Sequence, residues 1–96
     1  MNEWIQSCTI FNDSASDILH EIKTSPFLKD YTFIITGKVG PTGKTWLKNQ
    51  LKESGYNAIE ITDQLYTFVD YTFPDRNAVH FDRINRTAVI VLNISL

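Results

Sequence analysis

A glycine-rich segment near the middle of the chain, residues 37–45, contains the residue types that could bind an anion and is here called the glycine loop. It follows a β-branched and aromatic run, and its candidate ligand-binding positions are Gly37, Gly40, Gly43, Lys44 and Thr45. Glycines let backbone N–H groups converge on a phosphate, and a helix that begins directly after them presents the positive end of its dipole. The lysine would add a charge and the threonine a hydroxyl. The sequence therefore predicts a phosphate or nucleotide site here.

The glycine loop resembles the phosphate-binding loop of the P-loop nucleoside triphosphatases. Gly43-Lys44-Thr45 matches the end of that family's motif, and residues 33–63 follow its order of strand, glycine loop, helix and strand. The resemblance implies a nucleotide with Mg²⁺ as the ligand. It places Lys44 on the β- and γ-phosphates and Thr45 on the metal ion. The sequence indicates no other cofactor.

The glycine loop departs from the P-loop pattern in two places. Lys38 occupies the position of the family's first glycine, so that the loop is one residue longer than the motif. The apolar strand predicted over residues 88–92 is followed by Asn93, where the family has a metal-binding aspartate. Asp63 and Asp70 are the acids that could replace it. We therefore expect no complete catalytic site, and nucleotide binding without hydrolysis.

Residues 33–57 also resemble the opening of a BRCT domain. Thr36 and Gly37 end the predicted strand, and Gly55 closes the predicted helix, as in that family. This resemblance implies that the hydroxyl of Thr36 and the amide of Gly37 hold a phosphate. Both resemblances therefore place an anion at the same end of the same strand.

Four lysines concentrate positive charge in the glycine loop and directly after it. Lys44, Lys48 and Lys52 recur every four residues and so line one side of the predicted helix. With Lys38, they give residues 38–52 four positive charges and no acid, although the chain has a net charge of −2. The pattern favours a phosphate or nucleic-acid ligand, and the alternative is an ordinary solvated helix face.

The elements that would position this segment form a mixed α/β pattern. Ser14, three residues before Asp17, predicts the start of a helix over residues 14–24. A second helix is predicted over residues 42–54, and Gly55 would end it. Strands are predicted over residues 5–11, 31–36, 58–61, 65–73, 78–83 and 87–92, with turns at 74–77 and 84–86. We expect one α/β domain over residues 1–96: a small mixed sheet with two helices and antiparallel C-terminal strands, packed as a sandwich.

Length, charge and cysteine content exclude several functions. The 96 residues, 43% of them apolar, suffice for one hydrophobic core. The negative net charge argues against a surface that coats nucleic acid or an anionic membrane. Cys8 is the only cysteine, so no disulfide forms within one chain. His20 and His80 have no neighbours at metal-ligand spacing, so no metal site is predicted. Without a signal peptide or membrane-length apolar run, we expect a cytoplasmic protein.

The sequence leaves three functions open. The first is a non-catalytic interaction or regulatory domain that binds a protein partner or another macromolecule. The apolar strand predicted over residues 65–73 could meet a partner, or a second copy at a sheet edge, in a homodimer. The second is a nucleotide or phosphate binder, and the third is a nucleic-acid accessory protein that uses Lys38, Lys44, Lys48 and Lys52. In overall character the chain resembles small accessory proteins of large bacteriophages.

Overall fold

The described part of the chain forms one mixed β-sheet with two helices. The computed structural model describes residues 7–12, 14–38, 40–61 and 76–94. In chain order they form β1 (Ser7–Asn12), α1 (Ala15–Lys23), a 3-10 turn (Pro26–Leu28), β2 (Thr32–Gly37), α2 (Lys44–Glu53), β3 (Asn57–Glu60), β4 (Asn77–Asp82) and β5 (Thr87–Leu92). The strand predicted over residues 65–73 lies outside the described residues, as do the first two residues of the predicted turn at 74–77.

Local capping sets the two ends of α1. The Ser14 hydroxyl accepts the N–H of Asp17 at 3.1 Å, which satisfies one of the donors that a first helical turn leaves unpaired. Thr24 caps the other end, and Pro26 begins the 3-10 turn because proline lacks the N–H that a continuing helix needs. The helix predicted over residues 14–24 is confirmed.

α2 begins two residues later than the predicted start at residue 42. Gly43 is its N-cap and has a φ of 95°, a left-handed conformation that an α-helix excludes. At the other end, Gly55 has a φ of 89° directly after the C-cap Ser54. Glycine adopts this conformation without strain, so Gly55 ends the helix as predicted.

The sheet has the strand order β1-β4-β5-β2-β3. β2 lies between β5 and β3 and is parallel to both, whereas β4 is antiparallel to β5 and to β1. The predicted mixed sheet with an antiparallel C-terminal pair is therefore confirmed. Because β2, β3 and β5 are parallel, their carboxyl ends meet at one edge of the sheet. The glycine loop leaves β2 at that edge and leads into α2.

The main core lies between the helices and one face of the sheet. Alternate residues of the central strands point into it, among them Phe33, Ile35 and Ile90, together with Ile18 and Leu47 of the helices. Each buried side chain of this size contributes about 1.5–3 kcal/mol of burial free energy. On the opposite face, a smaller apolar cluster contains Ala78, Val89 and Val91, with Ile34 packed against it. β5 is thus buried on both faces, as its continuous apolar sequence predicts.

Asn77 has a role that the sequence did not indicate. It was predicted in a turn, but it is the first residue of β4 and its side chain is only 1% exposed. Its Oδ1 accepts the N–H of Asn93 at 2.8 Å and the N–H of Ile94 at 3.1 Å. Asparagine is common in turns, and this preference led to the wrong prediction. Here the asparagine side chain binds the backbone just after β5.

The turn predicted at residues 84–86 is confirmed, and Asp82 organises it. Its carboxylate accepts the N–H groups of Ile84 and Asn85 and, at 2.7 Å, the side-chain amide of Asn85. The hydrogen bond from the Asn85 side chain, followed by the backbone bonds, lowers the pKa of Asp82. Arg86 completes the turn with a positive φ of 52°.

Candidate functional site

Close packing of β2 on β5 determines where the glycine loop begins. A Cβ atom on Gly37 would lie 2.1 Å from the carbonyl oxygen of Leu92, so only glycine fits at the end of β2. The N–H of Lys38 then donates to the same carbonyl at 3.1 Å. Gly37 therefore has a packing role, beside the phosphate contact predicted for it.

The other two glycines of the loop, Gly40 and Gly43, also have positive φ angles. Gly40 has a φ of 120°, and a Cβ atom there would meet nothing within 4 Å. Gly43, with its φ of 95°, turns the chain into the first residue of α2. Backbone conformation, and not lack of space, explains the glycine at position 40.

Lys44 folds its side chain back into the glycine loop. The residue is only 7% exposed. Its ammonium donates to the Thr42 hydroxyl at 3.0 Å and to the backbone carbonyl of Lys38. Within the described residues, no carboxylate lies within 4.0 Å of this ammonium. The first residue of α2 thus contributes a buried positive charge, and its contacts within the described part of the chain are neutral oxygens.

Thr45 contacts an acid that the sequence analysis overlooked. Its Oγ1 lies 3.0 Å from each carboxylate oxygen of Glu60, the last residue of β3. The parallel unit formed by β2, α2 and β3 places the first turn of α2 beside the carboxyl end of β3. The positions predicted for a metal-binding acid were the one after residues 88–92 and, as replacements, Asp63 and Asp70. The available signal was Glu60 itself, an acid in the strand predicted directly after the helix.

Lys48 joins the same group of side chains. Its ammonium lies 3.7 Å from Glu60 Oε1, and the two side chains are 28% and 15% exposed, respectively. We name Thr45, Lys48 and Glu60 the carboxylate cluster. The cluster combines one positive and one negative charge, so it is neutral as it stands.

The four lysines of the predicted basic group therefore have different environments. Lys44 is buried in the glycine loop, and Lys48 pairs with Glu60. Lys38 and Lys52 are exposed, and neither side chain has an ion pair or hydrogen bond within the described part of the chain. The regular spacing on the helix does not produce a uniform row of solvated charges.

The remaining predicted positions are buried or lie outside the described residues. Thr36, which the BRCT resemblance assigned to a phosphate, is 1% exposed. Asn93 is buried, and Asn77 binds its backbone N–H. Asp63 and Asp70 lie outside the described residues.

The described residues contain neither a metal-binding group nor a membrane-spanning helix, and comparison with known proteins gave no match. No group of three or more His, Cys, Asp or Glu side chains among those residues could hold a metal ion. None of the described helices combines the length and the apolar composition that crossing a membrane requires. The chain matches no known protein family, no curated protein and no solved structure.

Proposed function

We propose that the protein binds a phosphate group, as carried by a nucleotide, in the glycine loop. The observation that carries this proposal is the environment of Lys44. Its ammonium is buried and is held by a hydroxyl and a backbone carbonyl, without a carboxylate nearby in the described residues. Burial removes hydration from a charge and raises its free energy unless a counter-charge is present. An anion in the loop would supply that counter-charge.

The start of α2 supports the same ligand. The first N–H of this helix that is bonded within the described residues belongs to Leu47, which donates to the Gly43 carbonyl at 2.9 Å. The N–H groups of residues 44–46 precede it and are therefore donors for a ligand. The helix dipole adds partial positive charge at the same point. Backbone donors and the Lys44 ammonium together suit the several oxygens of a phosphate.

The position of the loop in the sheet favours a small phosphorylated molecule. Ligands of open α/β sheets bind outside the carboxyl ends of the parallel strands, and the loop leaves the sheet at that edge. Lys38 is an exposed residue of the loop and adds a further positive charge. We propose binding without hydrolysis, because the carboxylate described beside the loop, that of Glu60, is already paired with Thr45 and Lys48.

A thermal-shift experiment in phosphate-free buffer tests this proposal. Inorganic phosphate, ATP and GTP are titrated against the wild type, Lys44→Met and Lys52→Met. Lys52→Met is the matched control, because it removes the same charge from an exposed position of the same helix. A ligand at about ten times its Kd stabilises the folded state by about 1.4 kcal/mol, which raises the Tm of a domain this size by roughly 6–10 °C.

We expect this shift in the wild type and in Lys52→Met, and its loss in Lys44→Met. A shift that persists in Lys44→Met would contradict the proposal, as would the absence of any shift with all three ligands. Because removal of a buried charge can itself change Tm, each variant is compared with its own ligand-free sample.

The two other functions drawn from the sequence stay predictions. The aromatic strand predicted over residues 65–73, which motivates a protein-binding role, lies outside the described residues. A nucleic-acid role would draw on the four lysines. Of these, only Lys38 and Lys52 are exposed and have no partner among the described residues. Fewer lysines are therefore available to bind the phosphates of a nucleic acid.

A further inference from the structure

We infer that Lys48 takes the place of a divalent cation at Glu60, so that the glycine loop binds phosphate without Mg²⁺. This inference rests on the proposed function, because it concerns how the same site is neutralised. The P-loop resemblance implies a metal ion on Thr45, and the residues around Thr45 test whether a metal ion fits there.

The oxygen donors described at this position, Thr45 and Glu60, are hydrogen-bonded to each other. Mg²⁺ requires six oxygen ligands in near-octahedral geometry and is commonly held by one or two carboxylates, waters and substrate phosphates. The described residues next to Thr45 offer one carboxylate, that of Glu60. The hydroxyl of Thr45 donates its proton to that carboxylate, with Oγ1 3.0 Å from each oxygen. Both groups keep further lone pairs, so this hydrogen bond by itself does not exclude a metal ion, and the charge around Glu60 decides.

The charge at this position is also balanced. The ammonium of Lys48 lies 3.7 Å from Glu60 Oε1, and both side chains are mostly shielded from water. A divalent cation on the same carboxylate would be repelled by the ammonium at short range. The described residues therefore do not fit Mg²⁺ as long as Lys48 holds its position.

The lysine can perform the electrostatic part of the metal ion's role. A carboxylate close to a phosphate site repels the ligand, and a metal ion removes this repulsion in sites that bind one. Lys48 neutralises Glu60 without any added ion and leaves the charge of Lys44 for the ligand. Lys44 and Lys48 are one helical turn apart, so α2 places both side chains on the same side of the helix.

Calorimetric titration with inorganic phosphate tests this inference. The wild type is titrated once in EDTA and once in millimolar MgCl₂, and we expect the same Kd in both. In Lys48→Met, the unpaired Glu60 carboxylate should weaken phosphate binding in EDTA by roughly two- to fivefold, the range covered by partly exposed ion pairs. Added Mg²⁺ should restore part of this loss. The double variant Lys48→Met/Glu60→Gln should again bind phosphate equally well with and without Mg²⁺.

The outcomes separate this inference from the proposed function. Wild-type binding that requires Mg²⁺ would overturn the role of Lys48 and leave the phosphate site in place. Absence of phosphate binding both in EDTA and in MgCl₂ would overturn the proposed function, and the inference with it. If Lys48→Met fails to fold, the comparison of EDTA and MgCl₂ in the wild type still decides, and Lys52→Met remains the control for loss of a helix charge.

Discussion

The hydroxyl of Thr45 lies 3.0 Å from both carboxylate oxygens of Glu60, which is 15 residues further along the chain. The contact joins the first turn of α2 to the carboxyl end of β3, at the edge where the glycine loop leaves the sheet. Lys48, whose ammonium lies 3.7 Å from Glu60 Oε1, balances the charge of this carboxylate. The contact therefore connects the glycine loop to a charged side chain of the neighbouring strand.

Removal of the charge of Glu60 should strengthen phosphate binding. In Glu60→Gln, Lys48 loses its counter-charge, and the field at the glycine loop becomes more positive. We expect the Kd for inorganic phosphate, measured by calorimetry, to fall by roughly two- to fivefold. Glu53→Gln, an exposed acid at the end of α2, is the control and should leave the Kd unchanged. Weaker binding in Glu60→Gln would argue that the carboxylate itself supports the ligand.

Gly37→Ala should destabilise the fold more than Gly40→Ala. A methyl group at position 37 would lie 2.1 Å from the Leu92 carbonyl oxygen, whereas at position 40 it would meet nothing within 4 Å. Both positions have positive φ, so both variants lose about 1–2 kcal/mol through backbone strain. The clash should add roughly 1–3 kcal/mol at position 37 only. Urea unfolding measures the difference, and equal losses would contradict the close contact between β2 and β5.

Asn77→Ala should lower the free energy of unfolding by about 2 kcal/mol, because it removes a buried acceptor that binds two backbone N–H groups just after β5. The Asn77 side chain is buried and binds both of them. Asn49→Ala, an exposed residue of α2, is the control and should change stability little. Urea denaturation of both variants provides the comparison. A loss in Asn49→Ala as large as that in Asn77→Ala would argue against a specific role for the Asn77 side chain.

The contribution of Asp82 to stability should depend on pH in a defined direction. Hydrogen bonds from the side chain and backbone of Asn85 lower its pKa below the ordinary value near 3.8. A depressed pKa means that the folded state binds the proton less readily than the unfolded state. The stabilisation is therefore present above that ordinary value and is lost as pH falls through the lower pKa of the folded protein.

The measurement is the difference in urea midpoint between the wild type and Asp82→Asn over a series of pH values. We expect the wild type to be the more stable protein at neutral pH and the difference to shrink in strong acid. Asp17→Asn is a useful control, because the backbone N–H of Asp17, and not its carboxylate, binds the Ser14 hydroxyl. A difference that is constant down to strong acid would show that the charge of Asp82 is not responsible.

Local signals in the sequence were enough to predict most of the described elements. Ser14 and Asp17 indicate the start of α1, Gly55 marks the end of α2, and β-branched residues indicate β2 and β5. These signals work because they act over a few residues, through capping hydrogen bonds and backbone preferences. The predicted start of α2 was wrong by two residues, because Gly43 is the N-cap and its φ of 95° lies outside the helical region.

The sequence by itself determined which residues could bind an anion: the glycines, Lys44 and Thr45 follow one another and can be recognised as a pattern. Only the tertiary structure decided how they are used. The packing of β2 on β5 restricts position 37 to glycine, and the parallel placement of β3 beside β2 brings Glu60 to Thr45 and Lys48. The physical reason is that hydrogen bonds and ion pairs act over a few ångströms in space. Residues far apart in the chain meet at that range only after the sheet has formed.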